Sequence, residues 1–467
     1  MRGADSLPPI PVGWMDTLPD SLCELERLSL RSAIESSELM RAVRLNKIDL
    51  SMLIETFSLK YEAVPWAERA YFLPSDHELG KHPLHAAGAY YLQEPSAMAA
   101  VGAMEVEQGH RVLDLCAAPG GKSGQISARL NGGGLLVANE PHAQRMRILR
   151  GNLIRLGVTN ALMLCESAER LAERFPAAFD RVLVDAPCSG EGMFRREATA
   201  RLQWSEASVK GCAKRQLALL RNAQSMVKPG GLLVYSTCTF NRFENEGVAQ
   251  AFLDEHPSFA AEDFCLPGLP DSSDGMLRLY PHRRQGEGQF IARFRNHGDG
   301  RAQEPRIARS ARPALITRRD AEYFESFRQQ TLPNWSGGGE LMKIGNWLCY
   351  INDSFPPPDQ IAGLSIKGIG LELGELAADG FIPAKALAMT LRPGSASNCL
   401  EITIDEARAW LSGTALRIDS SSSSGWILIS YRGLPLGFGF AERGRVRSVS
   451  RRSGDPRKRN AWELRHI

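Results

Sequence analysis

No Cys-x-x-Cys pair occurs in the 467 residues, and the nine cysteines follow no regular spacing. That excludes a zinc ribbon and a disulfide framework, and leaves reduced thiols in a cytoplasmic setting as the expectation. The opening Met1-Arg2-Gly3-Ala4-Asp5 has no apolar leader character. Nowhere does an apolar run approach the roughly 18 residues that span a bilayer, so no membrane partner is expected. Charge of one sign is scarce too. Lys and Arg number 56 against 53 Asp and Glu, a net +3, so bulk charge does not mark a nucleic-acid binder. Its distribution says more: Arg293–Arg319 holds eight arginines against Asp299 and Glu304, and Glu442–Ile467 holds nine Lys/Arg against three acids. His82 and His85 lack acid or thiol partners at ligand spacing, so no metal site is expected.

What is present is a chain too long for one core. Residues 17–75 suggest a small α/β region, with helical apolar spacing over Leu22–Leu28 and strand-like alternation over Arg41–Asn46. From about 85 to 300, apolar strands alternate with helical stretches, the pattern of an open, mainly parallel sheet. Its expected strands are Arg111–Cys116, Leu135–Glu140, Ala161–Cys165, Arg181–Asp185, Leu232–Ser236 and Gln289–Arg295. An Arg/Pro-rich stretch, 301–316 at its core, is expected as a linker. Beyond it, short apolar runs between glycines (Trp347–Ile351, Gly363–Gly374, Gly425–Ser430, Pro435–Phe440) predict a strand-rich second domain, and Ser420–Ser424 a loop. The domain boundaries follow as 1–84, 85–300 and 317–467.

The first strand of the central block runs into Cys116-Ala117-Ala118-Pro119-Gly120-Gly121-Lys122-Ser123. A glycine turn between strand and helix is where a doubly wound sheet takes a nucleotide-like ligand. Gly121-Lys122-Ser123 imitates the end of a phosphate loop. That pattern requires glycine at Cys116, however, and Pro119 removes an amide donor, so a phosphate cradle is not expected. Glu140 ends the next strand, where an acid binds ribose hydroxyls. Loop and acid together point to an adenosine-containing cofactor.

Two further strand ends carry thiols: Asp185-Ala186-Pro187-Cys188-Ser189-Gly190-Glu191-Gly192 and Ser236-Thr237-Cys238-Thr239. A lone cysteine is ordinarily a small buried hydrophobe. Two at the carboxyl ends of neighbouring strands face the same crevice as the cofactor loop. These runs, with Cys116–Lys122, resemble successive motifs of the RNA cytosine-5 methyltransferases. The segment Lys81–Met98 is similar to the one preceding the cofactor loop in the RsmF-like 16S ribosomal RNA branch. Gly370–Leu376 and Gly433–Gly439 resemble that branch's small C-terminal RNA-binding domain.

The resemblance implies an α/β architecture: a Rossmann-like methyltransferase domain, an N-terminal α/β RNA-binding region and a strand-rich, PUA-like C-terminal domain. It implies S-adenosyl-L-methionine as cofactor, held by residues 116–122, Glu140 and Asp185. Glu166 stands where the family often has Asp, a departure at the adenine side. Cys238 is implied as the thiolate that adds to carbon 6 of cytosine, and Cys188 as the thiol assisting release. Asp185 would bond ring nitrogen 3 as a donor, protonated or sharing a proton with the ring, and Lys122 would lower the thiol pKa. RNA is the implied partner, with ribosomal RNA favoured, in the small subunit as one setting, and transfer RNA as the alternative. The arginine clusters, with Phe194-Arg195-Arg196, become candidate phosphate contacts. A DNA cytosine-5 enzyme would have no use for the second Thr-Cys. An amino-group methyltransferase would show Asn/Asp-Pro-Pro-Tyr/Phe in place of Ala186-Pro187-Cys188, and a silent RNA-binding scaffold would be free to lose Lys122 and both thiols.

Overall fold

The computed structural model describes residues 7–36, 39–73, 78–299, 316–378, 380–392, 394–418 and 424–448. The expected linker, the middle of the first arginine cluster, most of the second, and Ser420–Ser423 lie outside the described residues.

Among the described residues, twenty-one strands form four sheets. The first contains β1 (Arg41–Leu45), β2 (Ala70–Leu73) and β3 (Tyr90–Gln93) in the order β2-β1-β3. The central sheet begins with β4 (Arg111–Asp114), β5 (Leu135–Asn139), β6 (Ala161–Leu164), β7 (Phe179–Asp185) and β8 (Val227–Thr237). These five are mutually parallel in the order β8-β7-β4-β5-β6. Antiparallel β9 (Phe259–Ala261), β10 (Met276–Leu279) and β11 (Gln289–Asn296) extend it beyond β8. The chain reverses direction across the sheet at β4, which makes the crevice beyond the ends of β4 and β7 the place for a ligand.

Near-continuous apolar strands require cover on both faces, and both faces are covered. Leu113, Val137, Leu162, Val182 and Tyr235 point one way, onto Leu171, Leu220 and Phe252. Val112, Leu136, Ala138, Leu183 and Val234 point the other, onto Met98, Ile126, Leu149 and Leu153. That is the two-residue period of a strand. The helix Glu206–Ala223 starts where Ser205 and Ser208 cap each other's backbone amides.

The C-terminal part is built from β12 (Glu340–Ile344), β13 (Trp347–Ile351), β14 (Ile366–Ile369), β15 (Leu371–Ala377) and β16 (Gly380–Pro383). It ends in β17 (Cys399–Glu401), β18 (Leu416–Arg417), β19 (Gly425–Tyr431), β20 (Leu434–Glu442) and β21 (Arg445–Ser448). Two boundaries differ from the sequence reading. Residues 90–93 form β3 of the N-terminal sheet, so a cut at 84 divides that sheet. β14 leaves the C-terminal domain to pair antiparallel with β6, Ile366 opposite Leu164, and so covers what would be a bare edge of the central sheet. The outer domains also share a core: Val43, Leu45 and Tyr90 pack with Trp410, Ile427, Ile429 and Val446. Among the described residues no helix is long and apolar enough to cross a membrane.

Candidate active site

β4 delivers Asp114 to the crevice, and the turn 115–120 leads into the helix Gly121–Leu130. Gly120 adopts φ +109°, and a Cβ there would come within 3.0 Å of Leu149, so the turn requires glycine. Arg145 Nη2 donates to Ala118 O at 2.9 Å and Asn152 Nδ2 to Pro119 O at 2.8 Å, fixing the turn from the next helix. Burial pushes the Cys116 thiol well up, which marks it as an inert wall rather than a nucleophile.

Asp114 is fully buried. Oδ2 accepts from Ser123 Oγ at 2.6 Å, and burial lifts the carboxyl to about 7. Glu140, 1% exposed, accepts from His142 N at 3.0 Å and has Arg145 Nη1 at 3.2 Å from Oε2. Asp114 Oδ1 and Glu140 Oε2 accept no hydrogen bond within the protein. Asp114 Oδ1 is thus a buried acceptor without a donor and Glu140 Oε2 faces only the Arg145 ion pair; beside a glycine turn, both fit a ligand rich in hydroxyl and amino groups. Glu166 is set differently. Its Oε1 accepts from Ser365 N at 2.5 Å and its Oε2 lies 3.5 Å from Arg170, so its carboxylate is engaged at the junction with the C-terminal part.

Asp185 ends β7 with donors on both oxygens. Lys122 Nζ stands 2.7 Å from Oδ2; Ser236 Oγ and Gln289 Nε2 reach Oδ1 at 2.7 and 3.3 Å. All three groups donate to it, so its oxygens are engaged as acceptors, whereas the sequence reading has it donating to the ring, protonated or sharing the ring's proton. The Lys122 ammonium loses solvation by burial, but Asp185, with Cys238 and Asp114 nearby, outweighs this and raises its pKa.

The loops after β7 and β8 bring Cys188 Sγ and Cys238 Sγ to 3.3 Å. The bond to Cys238, then burial, then the charges of Cys238 and Glu244 hold Cys188 well above an ordinary thiol. Gly192 N donates to Cys238 O at 2.8 Å. Glu191, 0% exposed, accepts from the backbone amides of Phe240 and Asn241 at 2.7 and 2.9 Å and from Trp204 Nε1 at 2.9 Å. One buried carboxylate thus clamps the two thiol loops together.

Sequence reasoning quotes Glu191 and Ser236 inside motifs without giving them a role. It passes over Gln216, Gln289 and Glu244, whose partners are distant in sequence. The cue for Glu191 was a carboxylate inside a thiol motif; for Gln216 no local pattern exists. Tyr90 is core, fully buried with its hydroxyl on Leu79 O at 2.8 Å. His82 Nδ1 accepts from Leu84 N at 3.2 Å, capping a short helix. Phe194 packs edge-on to Trp14. Arg195 and Arg196 each lie 3.4 Å from the Glu287 carboxylate, while Met40 donates its N–H to Glu287 and accepts from Arg196. These groups tie the N-terminal segment to the thiol loops. Arg293 and Arg295 are also engaged, in ion pairs with Glu262 and, for Arg293, Glu105 at 2.6 Å. That takes the head of the first arginine cluster away from phosphate contact.

A parallel sheet of this order, with a glycine turn and an acid-ended neighbouring strand at its reversal point, defines an S-adenosylmethionine-dependent methyltransferase. Solved structures share the fold. A methyltransferase homolog protein from Pyrococcus horikoshii matches at TM-score 0.52 and 30% identity, over 61% of this chain and 93% of that one. NSun6 from the same organism, solved with SFG, matches at TM-score 0.55 and 19% identity, over 62% and 99%. Three family models match in series: the N-terminal domain of 16S rRNA methyltransferase RsmF over residues 15–95, 16S rRNA methyltransferase RsmB/F over 101–295, and the methyltransferase RsmF PUA domain over 397–448. Ribosomal RNA small subunit methyltransferase F of Vibrio parahaemolyticus is 33% identical over 86% of this chain and 88% of that protein. The protein of that name from Erwinia tasmaniensis is 30% identical over 92% and 93%. The chain belongs to the RsmF family of 16S rRNA methyltransferases.

Proposed function

We propose that this protein is an S-adenosylmethionine-dependent ribosomal RNA methyltransferase that acts on carbon 5 of a cytosine in 16S rRNA through a covalent adduct on Cys238. The observation that carries the chemistry is the thiol pair 3.3 Å apart, with the Lys122–Asp185 pair in the same crevice. Cytosine carbon 5 is a poor nucleophile until a group adds at carbon 6, so such a site needs one sulfur to add and a second group to take the carbon 5 proton.

S-adenosylmethionine, when bound, supplies the methyl group. Residues 116–122, Glu140 and Asp185 would hold it, and Asp114 Oδ1 and Glu140 Oε2, which accept no hydrogen bond within the protein, would give it acceptors. Cys238 adds to carbon 6 as thiolate, and the electron pair released makes carbon 5 the nucleophile. Asp185, kept an acceptor by Lys122, Ser236 and Gln289, holds the polar edge of the ring. After transfer, Cys188 takes the carbon 5 proton, the carbon 6–sulfur bond breaks, and Cys238 leaves as thiolate. The N-terminal region and the domain beyond 317 hold the RNA, with the assembled small subunit as one setting.

Single thiol variants test this. Cys238→Ala is expected to abolish methylation while retaining RNA and cofactor binding. Cys188→Ala is expected to transfer methyl but stall, leaving a ribonuclease-sensitive band of raised mass on a denaturing gel that requires cofactor. An adduct on Cys188 in Cys238→Ala assigns the nucleophile to the other loop. Activity in Cys238→Ala with no adduct in either variant ends the covalent reading.

A further inference from the structure

Glu244, six residues beyond Cys238, has no part in the chemistry above, yet it is 0% exposed and faces the Cys188 loop. Its Oε2 accepts from Ser189 N at 3.0 Å and from Gln216 Nε2 at 2.7 Å. Gln216 Nε2 also reaches Pro187 O at 3.0 Å. The residues on either side of Cys188 are therefore held by one carboxylate and the amide bound to it. Asn241 Nδ2 meets Oε1 at 2.7 Å. All these partners are N–H donors, and a protonated carboxyl would need an acceptor that they do not offer. Burial raises the Glu244 pKa, and these donors oppose it.

The Glu244 carboxylate thus holds the backbone on one side of Cys188 directly and on the other through Gln216, and its charge raises the Cys188 pKa, while the Lys122 ammonium, paired with Asp185, interacts electrostatically with Cys238. Two thiols at 3.3 Å do not ionise together, since the second charge would form beside the first. When one sulfur ionises, the surroundings decide which.

We infer that Glu244 is a positioning residue of the reaction: its buried negative charge keeps the single proton of the thiol pair on Cys188 and so makes Cys238 the sulfur that attacks. The proton balance closes over a turnover. Cys238 enters as thiolate and Cys188 as thiol. Once Cys238 is a neutral thioether on carbon 6, the thiolate charge that retained the Cys188 proton together with Glu244 is gone, and Cys188 releases that proton to water against the Glu244 charge alone. Cys188 then takes the carbon 5 proton as the carbon 6–sulfur bond breaks, which restores the starting pair and leaves one proton in solution per methyl transferred.

The inference rests on the covalent reading, but its test runs without RNA, so the two fail separately. The full-length protein is treated briefly with iodoacetamide, and alkylation at each sulfur is read by mass spectrometry. In the unsubstituted protein Cys238 is expected to react first. In Glu244→Gln, which keeps size and removes charge, the Cys238-to-Cys188 ratio is expected to fall about tenfold. The single-turnover methylation rate should fall by a like factor at unchanged KM for RNA. An unchanged ratio in a Glu244→Gln protein of normal melting temperature overturns the inference, even where Cys188→Ala still traps an adduct. Should that variant not fold, the unsubstituted protein decides: alkylation of Cys188 before Cys238 overturns it.

Discussion

Gly192→Ala puts a single methyl group at the seam between the two thiol loops. Gly192 does not have positive φ, so alanine costs no backbone strain there; the cost is steric. The added Cβ would lie 2.7 Å from Cys238 O and 3.2 Å from Glu287 O, both backbone atoms. Restoring ordinary contact means parting the loops by about 0.7 Å, against the Gly192 N–Cys238 O bond of 2.8 Å and the Glu191 clamp beside it. Overpacking of this kind costs about 1–3 kcal/mol, the upper part of that range if the hydrogen bond is also lost. The catalytic effect should be larger, because a misplacement of ~1 Å at reacting atoms costs on the order of 10²-fold. Urea unfolding should show the stability loss, and single-turnover transfer of tritiated methyl a rate about 10- to 100-fold lower. Cofactor affinity by calorimetry should hold, since the 116–122 turn is not involved. A Gly192→Ala protein with the normal unfolding midpoint and a rate within about threefold of the parent would refute the claim that loop spacing limits the chemistry.

Glu140→Ala should weaken S-adenosylmethionine binding by about 1–3 kcal/mol, the cost of ligand hydroxyls left without an acceptor; unchanged calorimetric affinity removes Glu140 from the cofactor site. Lys47 Nζ lies 2.8 Å from Met389 O and 3.0 Å from Ala87 O, joining the N- and C-terminal parts. Burial, with Arg155 and Lys385 near, lowers its pKa to about 7 from 10.5. Between those values the unfolded chain holds a proton that the folded chain has released, so this group makes the fold more stable as pH rises from about 7 to 10.5. Lys47→Met should flatten that rise in urea unfolding followed against pH, and an unaltered slope would discharge Lys47 from the titration.

Both the merits and the misses of the sequence reading follow from the range over which each signal acts. The six expected central strands all formed, with ends moved by a few residues, because a strand buried on both faces, parallel as in five of them or antiparallel as in β11, needs an apolar run that is local and complete. The glycine turn and the two thiol motifs were equally legible, since each is a strand end plus the few residues after it. What escaped was held by pairs far apart in the chain. Residues 90–93 give no sign of pairing with 42–45, so the domain cut fell inside a sheet. β14 is four residues that include Gly368 and run into Gly370, and only the bare edge of β6 explains why it leaves its own domain.

The same contrast explains Glu166 and the thiol pair. Resemblance puts Glu166 beside the cofactor, but one methylene more than Asp reaches Ser365 N, 199 positions away, and a carboxylate committed to that amide and to Arg170 has less to offer a ligand. In the thiol pair, the motifs place the two sulfurs without ranking them, because Pro-Cys and Thr-Cys carry the same functional group. Rank comes from groups lying outside both dipeptides. Lys122 reaches the crevice from the helix after β4, and Gln216 from the middle of a helix whose sequence shows only amphipathic spacing. Glu244 lies just beyond the second motif, and its carboxylate turns back onto the first. The choice of nucleophile is in this sense a tertiary property: one cation and one anion, brought from separate elements to the neighbourhood of two sulfurs, divide between them roles that the local sequence leaves equal.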